Sequence, residues 1–170
     1  MSGSEWGRLD LLKTGVSIKE TQTLYQKWAC SYNKDCELLG YSGPARVAQR
    51  VADLFPVDVR DNVNILDVGA GTGLVAVELK KLGFKNLDAL EPSEPMLLEA
   101  KKDNLYNNYY QEFLTESPTT LSGDTYDVIT GSGIYGEGAH VPCKALYEMI
   151  RLVKPGGYII LAARHEVVKI

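Results

Sequence analysis

Asp67-Val-Gly-Ala-Gly-Thr-Gly73 places glycines at 69, 71 and 73, at the end of a short apolar run, Val63 to Val68. Glycines so spaced let the chain bend sharply and let a ligand touch bare backbone. A helical pattern opens at Leu74, so its N-terminus points at the turn. Glu91 follows a second apolar run, Asn86-Leu-Asp-Ala-Leu90. A carboxylate there can accept hydrogen bonds from both hydroxyls of a ribose. The ordinary alternative is a tight strand-to-helix turn with a solvated acid beyond it. Strand before, helix after and acid downstream together favour a nucleoside site at the carboxyl edge of a sheet.

The details narrow the nucleoside. A dinucleotide turn has its third glycine after two residues, whereas Gly69-Ala-Gly-Thr-Gly73 has it after one. The Gly-Lys-Ser or Gly-Lys-Thr of a phosphate-binding loop is absent, and the turn holds no lysine or arginine. Asp67 would repel phosphate and suits a ligand carrying an amino group and a sulfonium. These features point to S-adenosylmethionine (SAM) and away from NAD or ATP, which disfavours a nucleotide-dependent oxidoreductase.

Other chemistry-bearing residues are fewer. Gly131-Ser-Gly-Ile-Tyr-Gly-Glu-Gly138 is a mobile-looking loop at the same edge, with His140 just beyond. Glu137 and His140 are the candidates for a general base; their alternatives are solvent exposure or helix capping. Tyr25, Trp28 and Tyr32 form a helical stripe that packs in the core or covers the ligand. Tyr106, Tyr109 and Tyr110 read as packing residues. Cys30, Cys36 and Cys143 are widely spaced and match no metal-ligand pattern, and His140 and His165 are the only histidines. No metal is expected, the three thiols read as free and buried, and the expected compartment is the cytoplasm.

The elements that position these residues alternate in type. A helix runs from Ser17, and Gly40-Tyr-Ser-Gly43 breaks it. Pro44 opens a second helix with an apolar stripe of Val47, Ala48, Val51, Leu54 and Phe55. Strands follow at 63–68, 86–90, 109–114 and 126–130, with helices at 74–82, from Ser93 as cap to about 102, and at 143–152. Lys154-Pro-Gly-Gly157 turns into a fifth strand, 158–163. Strand–helix alternation implies an α/β fold: a doubly wound, mainly parallel sheet with helices on both faces. Residues 1–16 read as a loose arm. Residues 17–170 read as one domain, with helices at 17–56 and a ligand-binding core at 63–163.

The whole chain of 170 residues is one domain in size. Apolar residues at 45% and charged residues at 24% match a globular average. Eighteen basic against 22 acidic residues give a net charge of −4, a poor footprint for nucleic acid. No apolar run approaches the roughly 18–20 residues that span a bilayer, so no membrane partner is expected.

Four segments in order resemble the motifs of class I SAM-dependent methyltransferases: Ile65-Leu-Asp-Val-Gly-Ala-Gly-Thr-Gly73, Glu91-Pro-Ser-Glu-Pro-Met96, Tyr126-Asp-Val-Ile129 and Leu152-Val-Lys-Pro-Gly-Gly157. More narrowly, Gly73 to Leu79, Leu105-Tyr106, Val141-Pro-Cys143 and the upstream Tyr25-Gln-Lys-Trp28 to Gly43-Pro44 segment resemble the methyltransferase-like protein 27 group. The resemblance implies a Rossmann-like sheet ordered 3-2-1-4-5. It implies that Asp67 and the turn Gly69, Ala70, Gly71, Thr72 and Gly73 meet the aminoacyl end of SAM, and that Glu91 holds the ribose. Pro92 and Met96 would lie by the adenine, Ser132 and Gly133 by the reacting methyl, and Tyr25 and Tyr32 would form a lid. One departure stands out. Phe113 occupies the place of an adenine-binding carboxylate, and Glu112, one position away, is the cofactor-binding candidate there.

The resemblance also implies a seven-stranded sheet, of which strands six and seven have no counterpart here. The expectation is a truncated chain whose fifth strand is an unprotected edge, open to self-association. The expected activity is methyl transfer to a small molecule. The alternative is a non-catalytic module that binds SAM or a partner.

Overall fold

The computed structural model describes residues 18–135 and 141–163, apart from the side chains of 18–22 and 24–26. It contains a five-stranded sheet ordered β3-β2-β1-β4-β5, every neighbouring pair parallel. The strands are β1 (Asn64–Val68), β2 (Asn86–Leu90), β3 (Asn108–Tyr110), β4 (Tyr126–Ser132) and β5 (Val153–Ala162). The helices are α1 (Ile18–Leu38), α2 (Gly43–Leu54), α3 (Leu74–Lys81), α4 (Glu94–Lys102) and α5 (Leu146–Leu152). The doubly wound architecture and its strand order are those expected.

Both faces of the sheet are covered, which is why β1 reads as a nearly unbroken apolar run. Alternate residues feed opposite cores. Ile65, Leu87, Ala89 and Val128 pack with Val47, Val51, Val75, Leu79 and Leu97 of α2, α3 and α4. Leu66, Val68, Leu90 and Ile129 pack with Met149 and Leu152 of α5. The apolar spacing on α2 puts Val47, Ala48, Val51 and Ala52 on its buried face, with Pro44 in its first turn.

Several local expectations are corrected. Strand β3 stops at Tyr110, not near Leu114, because the Glu112 carboxylate turns away to accept from the backbone N–H and the hydroxyl of Thr120. Strand β5 starts at Val153, not Tyr158. Tyr126 pairs with Val153 and Val128 with Tyr158, so Lys154-Pro-Gly-Gly157 is a bulge inside a continuing strand. Ser93 stands at the N-cap of α4 but makes no side-chain cap bond, and its hydroxyl is buried without a partner. Cys36 is buried as expected, but Cys30 and Cys143 are exposed. Among the described residues, no helix is long and apolar enough to cross a membrane.

Candidate functional site

The chain passes from β3 at one edge of the sheet to β4 on the other side of β1. That reversal opens a crevice beyond the carboxyl ends of β1 and β4, where open α/β sheets bind ligands. The glycine turn follows β1, Glu91 follows β2, and Gly133 follows β4.

The turn is strapped to β2. The N–H groups of Gly69 and Ala70 donate to the Leu90 carbonyl at 2.8 and 3.3 Å, and that of Gly73 donates to Ala70 at 2.9 Å. Gly73 has φ +91°, and a Cβ there would lie 2.4 Å from Leu105 Cδ1. Its inner side is filled. Gly71 is the opposite case: a Cβ there would meet nothing nearer than the Gly69 carbonyl at 4.0 Å. The turn therefore leaves open space beside the backbone at Gly71.

Glu91 is 9% exposed. Its Oε2 accepts from the Gly71 N–H at 3.0 Å and its Oε1 from the Ser93 N–H at 2.8 Å. Burial pushes this carboxyl above its usual range, against the pull of those two donors. Each oxygen keeps a lone pair for a further donor.

Asp67 is 1% exposed. Its Oδ2 accepts from the Tyr106 hydroxyl at 2.6 Å and its Oδ1 from the Thr130 hydroxyl at 3.0 Å. Burial pushes its carboxyl up to about 7; the two hydroxyls oppose the rise and the charge of Glu91 adds to it. Among the described residues, no lysine or arginine bonds to either acid. Two buried carboxylates beside an open glycine turn, without a cation of their own, suit a ligand that brings hydroxyl donors and positive charge.

The other expected residues spread around this centre. Thr72 is buried and donates to Asn33 Oδ1 at 2.5 Å, tying α1 to the turn. Ser132 shares a 2.7 Å hydrogen bond with the Tyr41 hydroxyl, and a Cβ on Gly133 would lie 2.8 Å from that same oxygen. Met96 is buried in the first turn of α4, and Pro92 is half-buried. Tyr32 stacks edge-to-face on Trp28, with centroids 4.8 Å apart. Trp28 is buried and donates to Asp35 Oδ2 at 2.6 Å, in keeping with core packing. Glu112 accepts from the N–H and hydroxyl of Thr120. The side chain of Tyr25 and all of Glu137 and His140 lie outside the described residues.

Sequence reasoning missed Tyr106, Thr130, Asn33 and Tyr41. For Tyr106 a signal existed: a tyrosine hydroxyl in a buried segment needs a partner, and a lone buried acid is a fitting one. For the other three, no local pattern marks the pairing.

Comparisons with known proteins agree with this geometry. A family model described as a methyltransferase domain matches residues 40–165. Human methyltransferase-like protein 27 is 34% identical over 140 residues, which cover 82% of this chain and 56% of that protein. The chain spans about half the length of the curated relatives it matches. Among solved structures, the methyltransferase of a Haloferax volcanii complex with the Trm112 methyltransferase activator superposes with a TM-score of 0.65 at 21% identity. The match covers 82% of this chain and 59% of that one. The DhpI–SAH complex gives 0.62 at 22% identity, covering 88% and 71%. With the ordered motifs, the sheet topology and the family match in hand, the chain belongs to the class I SAM-dependent methyltransferases.

Proposed function

We propose that this chain binds SAM in the crevice above β1 and β4 and donates its methyl group to a small-molecule acceptor. The observation that carries this reading is the pair of buried, cation-free carboxylates, Asp67 and Glu91, beside the open glycine turn. In this reading Glu91 holds the ribose diol. The backbone of Gly69, Ala70, Gly71, Thr72 and Gly73 borders the aminoacyl end. Pro92 and Met96 face the adenine, and Asp67 faces the positive end of the ligand. Ser132 and Gly133 border the acceptor side, with Tyr25 and Tyr32 as covers from α1. The sulfonium supplies an already activated methyl group. The chain's own task is orientation and exclusion of water. Proximity of this kind lowers barriers by about 7–11 kcal/mol. Where the acceptor must lose a proton, Glu137 or His140 takes it.

In this reading Glu112, whose oxygens accept from the N–H and hydroxyl of Thr120 and keep further lone pairs, is the acceptor for the adenine amino group.

A second reading has one observation behind it. The Haloferax volcanii neighbour is a methyltransferase in complex with an activator protein. By analogy, this chain would bind SAM but depend on a protein partner for turnover. The outer edge of β5, last in the sheet order, is the surface at which a second copy or another protein would pair.

Calorimetric titration with SAM and S-adenosylhomocysteine (SAH) tests the cofactor reading. The expectation is one site, weakened about tenfold to a hundredfold in Glu91→Ala, the size of hydrogen bonds to a charged group. A chain that binds neither compound would sink it. Sedimentation of the loaded chain then separates monomer from self-associated forms.

A further inference from the structure

We propose that Tyr106 is a positioning residue of the SAM site, acting through Asp67; this rests on the cofactor reading above. Tyr106 lies between α4 and β3, away from the glycine turn in sequence. Packing fixes it from two sides. Its ring stands edge-to-face on Tyr109, centroids 5.5 Å apart, and its own N–H donates to the Tyr109 hydroxyl at 3.1 Å. With Leu105 it fills the space behind Gly73, where a Cβ would be 3.3 Å from Tyr106 Cε2. The phenol is thereby aimed at Asp67 Oδ2, 2.6 Å away.

Among the described residues, three groups face Asp67. Tyr106 comes from the α4–β3 connection, Thr130 from β4, and Glu91 from the end of β2. Two are neutral hydroxyls and the third is a like charge. Among the described residues, the buried carboxylate of Asp67 therefore keeps its charge through two O–H donors. The Tyr106 bond is the shorter of them. A deprotonated Asp67 attracts a cationic ligand, whereas a protonated one does not. Tyr106 thus sets the pH above which the site presents its negative charge. It does so without touching the ligand.

The consequence is measurable with SAM and SAH alone. Tyr106→Phe keeps the ring that packs behind Gly73 and removes the O–H donor. Calorimetric titration of the full chain between pH 6 and 8.5 gives the profile of SAM affinity. Wild type binds SAM more tightly as pH rises through neutrality. Tyr106→Phe shifts that rise to higher pH and weakens SAM binding about tenfold at pH 7, with the deficit shrinking toward pH 8.5. SAH, which lacks the sulfonium charge, changes less. A ring that acted only as packing would leave the pH profile in place.

Thr130→Val is the second arm. It removes the other donor and moves the profile in the same direction, which keeps the test decisive if the phenylalanine variant fails to unfold cooperatively. Superimposable SAM affinities and pH profiles for wild type and Tyr106→Phe would overturn the proposal. An unshifted Thr130→Val would overturn it where the first variant is misfolded. Wild type that binds no SAM overturns the cofactor reading instead, so the two failures are distinct.

Discussion

Asp67 on β1 and Glu148 on α5 are both buried carboxylates, 1% and 2% exposed. Their surroundings differ in one respect. Glu148 on α5 accepts from Arg151 Nε at 2.7 Å and Nη2 at 2.6 Å, and from the N–H and hydroxyl of Thr119 at 2.8 and 2.7 Å. Burial acts to raise its pKa, but Arg151 and Thr119 more than offset that, and the carboxyl sits below its usual range. Asp67 has two hydroxyls, no cation among the described residues, and a carboxyl raised to about 7. The first arrangement is closed: charge, counter-charge and hydrogen bonds are all supplied by the chain. The second leaves a charge requirement unmet. Burial alone does not mark a candidate functional acid; burial without an internal counter-charge, beside open backbone, is the stronger signal.

The sharpest way to break this comparison is to follow stability against pH. For Asp67 the folded pKa lies above the ordinary 3.8. Below that value the proton is bound in both states. Between about 4 and 7 the folded chain keeps a proton the unfolded chain has released, so stability falls as pH rises and levels off above the folded pKa. The size is on the order of a few kcal/mol. Asp67→Asn should remove this loss, so denaturant unfolding at pH 5 and pH 8 should differ less in the variant than in wild type. An identical pH response in both chains would show that Asp67 is not held neutral.

Glu148 should behave in the opposite sense. Its stabilisation is present above the ordinary carboxyl range and is lost as pH falls through the lowered folded value. Glu148→Gln should cost about 2 kcal/mol at pH 7. That is less than the 3–5 kcal/mol for breaking a fully buried pair, because Arg151 is 35% exposed and can hydrate. At strongly acidic pH the two chains should converge. A penalty independent of pH would mean the side chain acts by packing, not by charge.

What could be read in advance follows the range of the interactions. The turn between β1 and α3, the α2 stripe and Glu91 were legible because glycine spacing and helical period are local. The bond from Tyr106 to Asp67 spans 39 residues, and that from Thr130 spans 63. Neither leaves a periodic trace, and a threonine inside an apolar strand looks like any β-branched residue. The start of β5 was missed for a different reason. Lys154-Pro-Gly-Gly157 has the composition of a turn, yet β4 pairs on both sides of it and converts it to a bulge. The early end of β3 depends on Glu112 meeting Thr120, a loop contact with no sequence signature.

The finest test of the comparison concerns the weaker of the two donors to Asp67. Thr130 is fully buried, and valine has nearly its shape, so Thr130→Val changes hydrogen bonding more than packing. At pH 8 Asp67 is mostly charged, and the variant leaves that charge with Tyr106 alone. The expected cost there is about 1–2 kcal/mol, the size of one hydrogen bond to a buried charged group. At pH 5 Asp67 already holds its own proton in the folded chain, so the lost bond is between neutral groups. The expected cost falls to about 0.5–1 kcal/mol. The corresponding loss at the closed site, Thr119→Val, should be nearly constant between pH 5 and 8. Glu148 remains charged across that interval, and Arg151 still neutralises it. A pH-dependent penalty at Thr130 and a flat one at Thr119 would separate an acid waiting for a ligand's charge from one already satisfied.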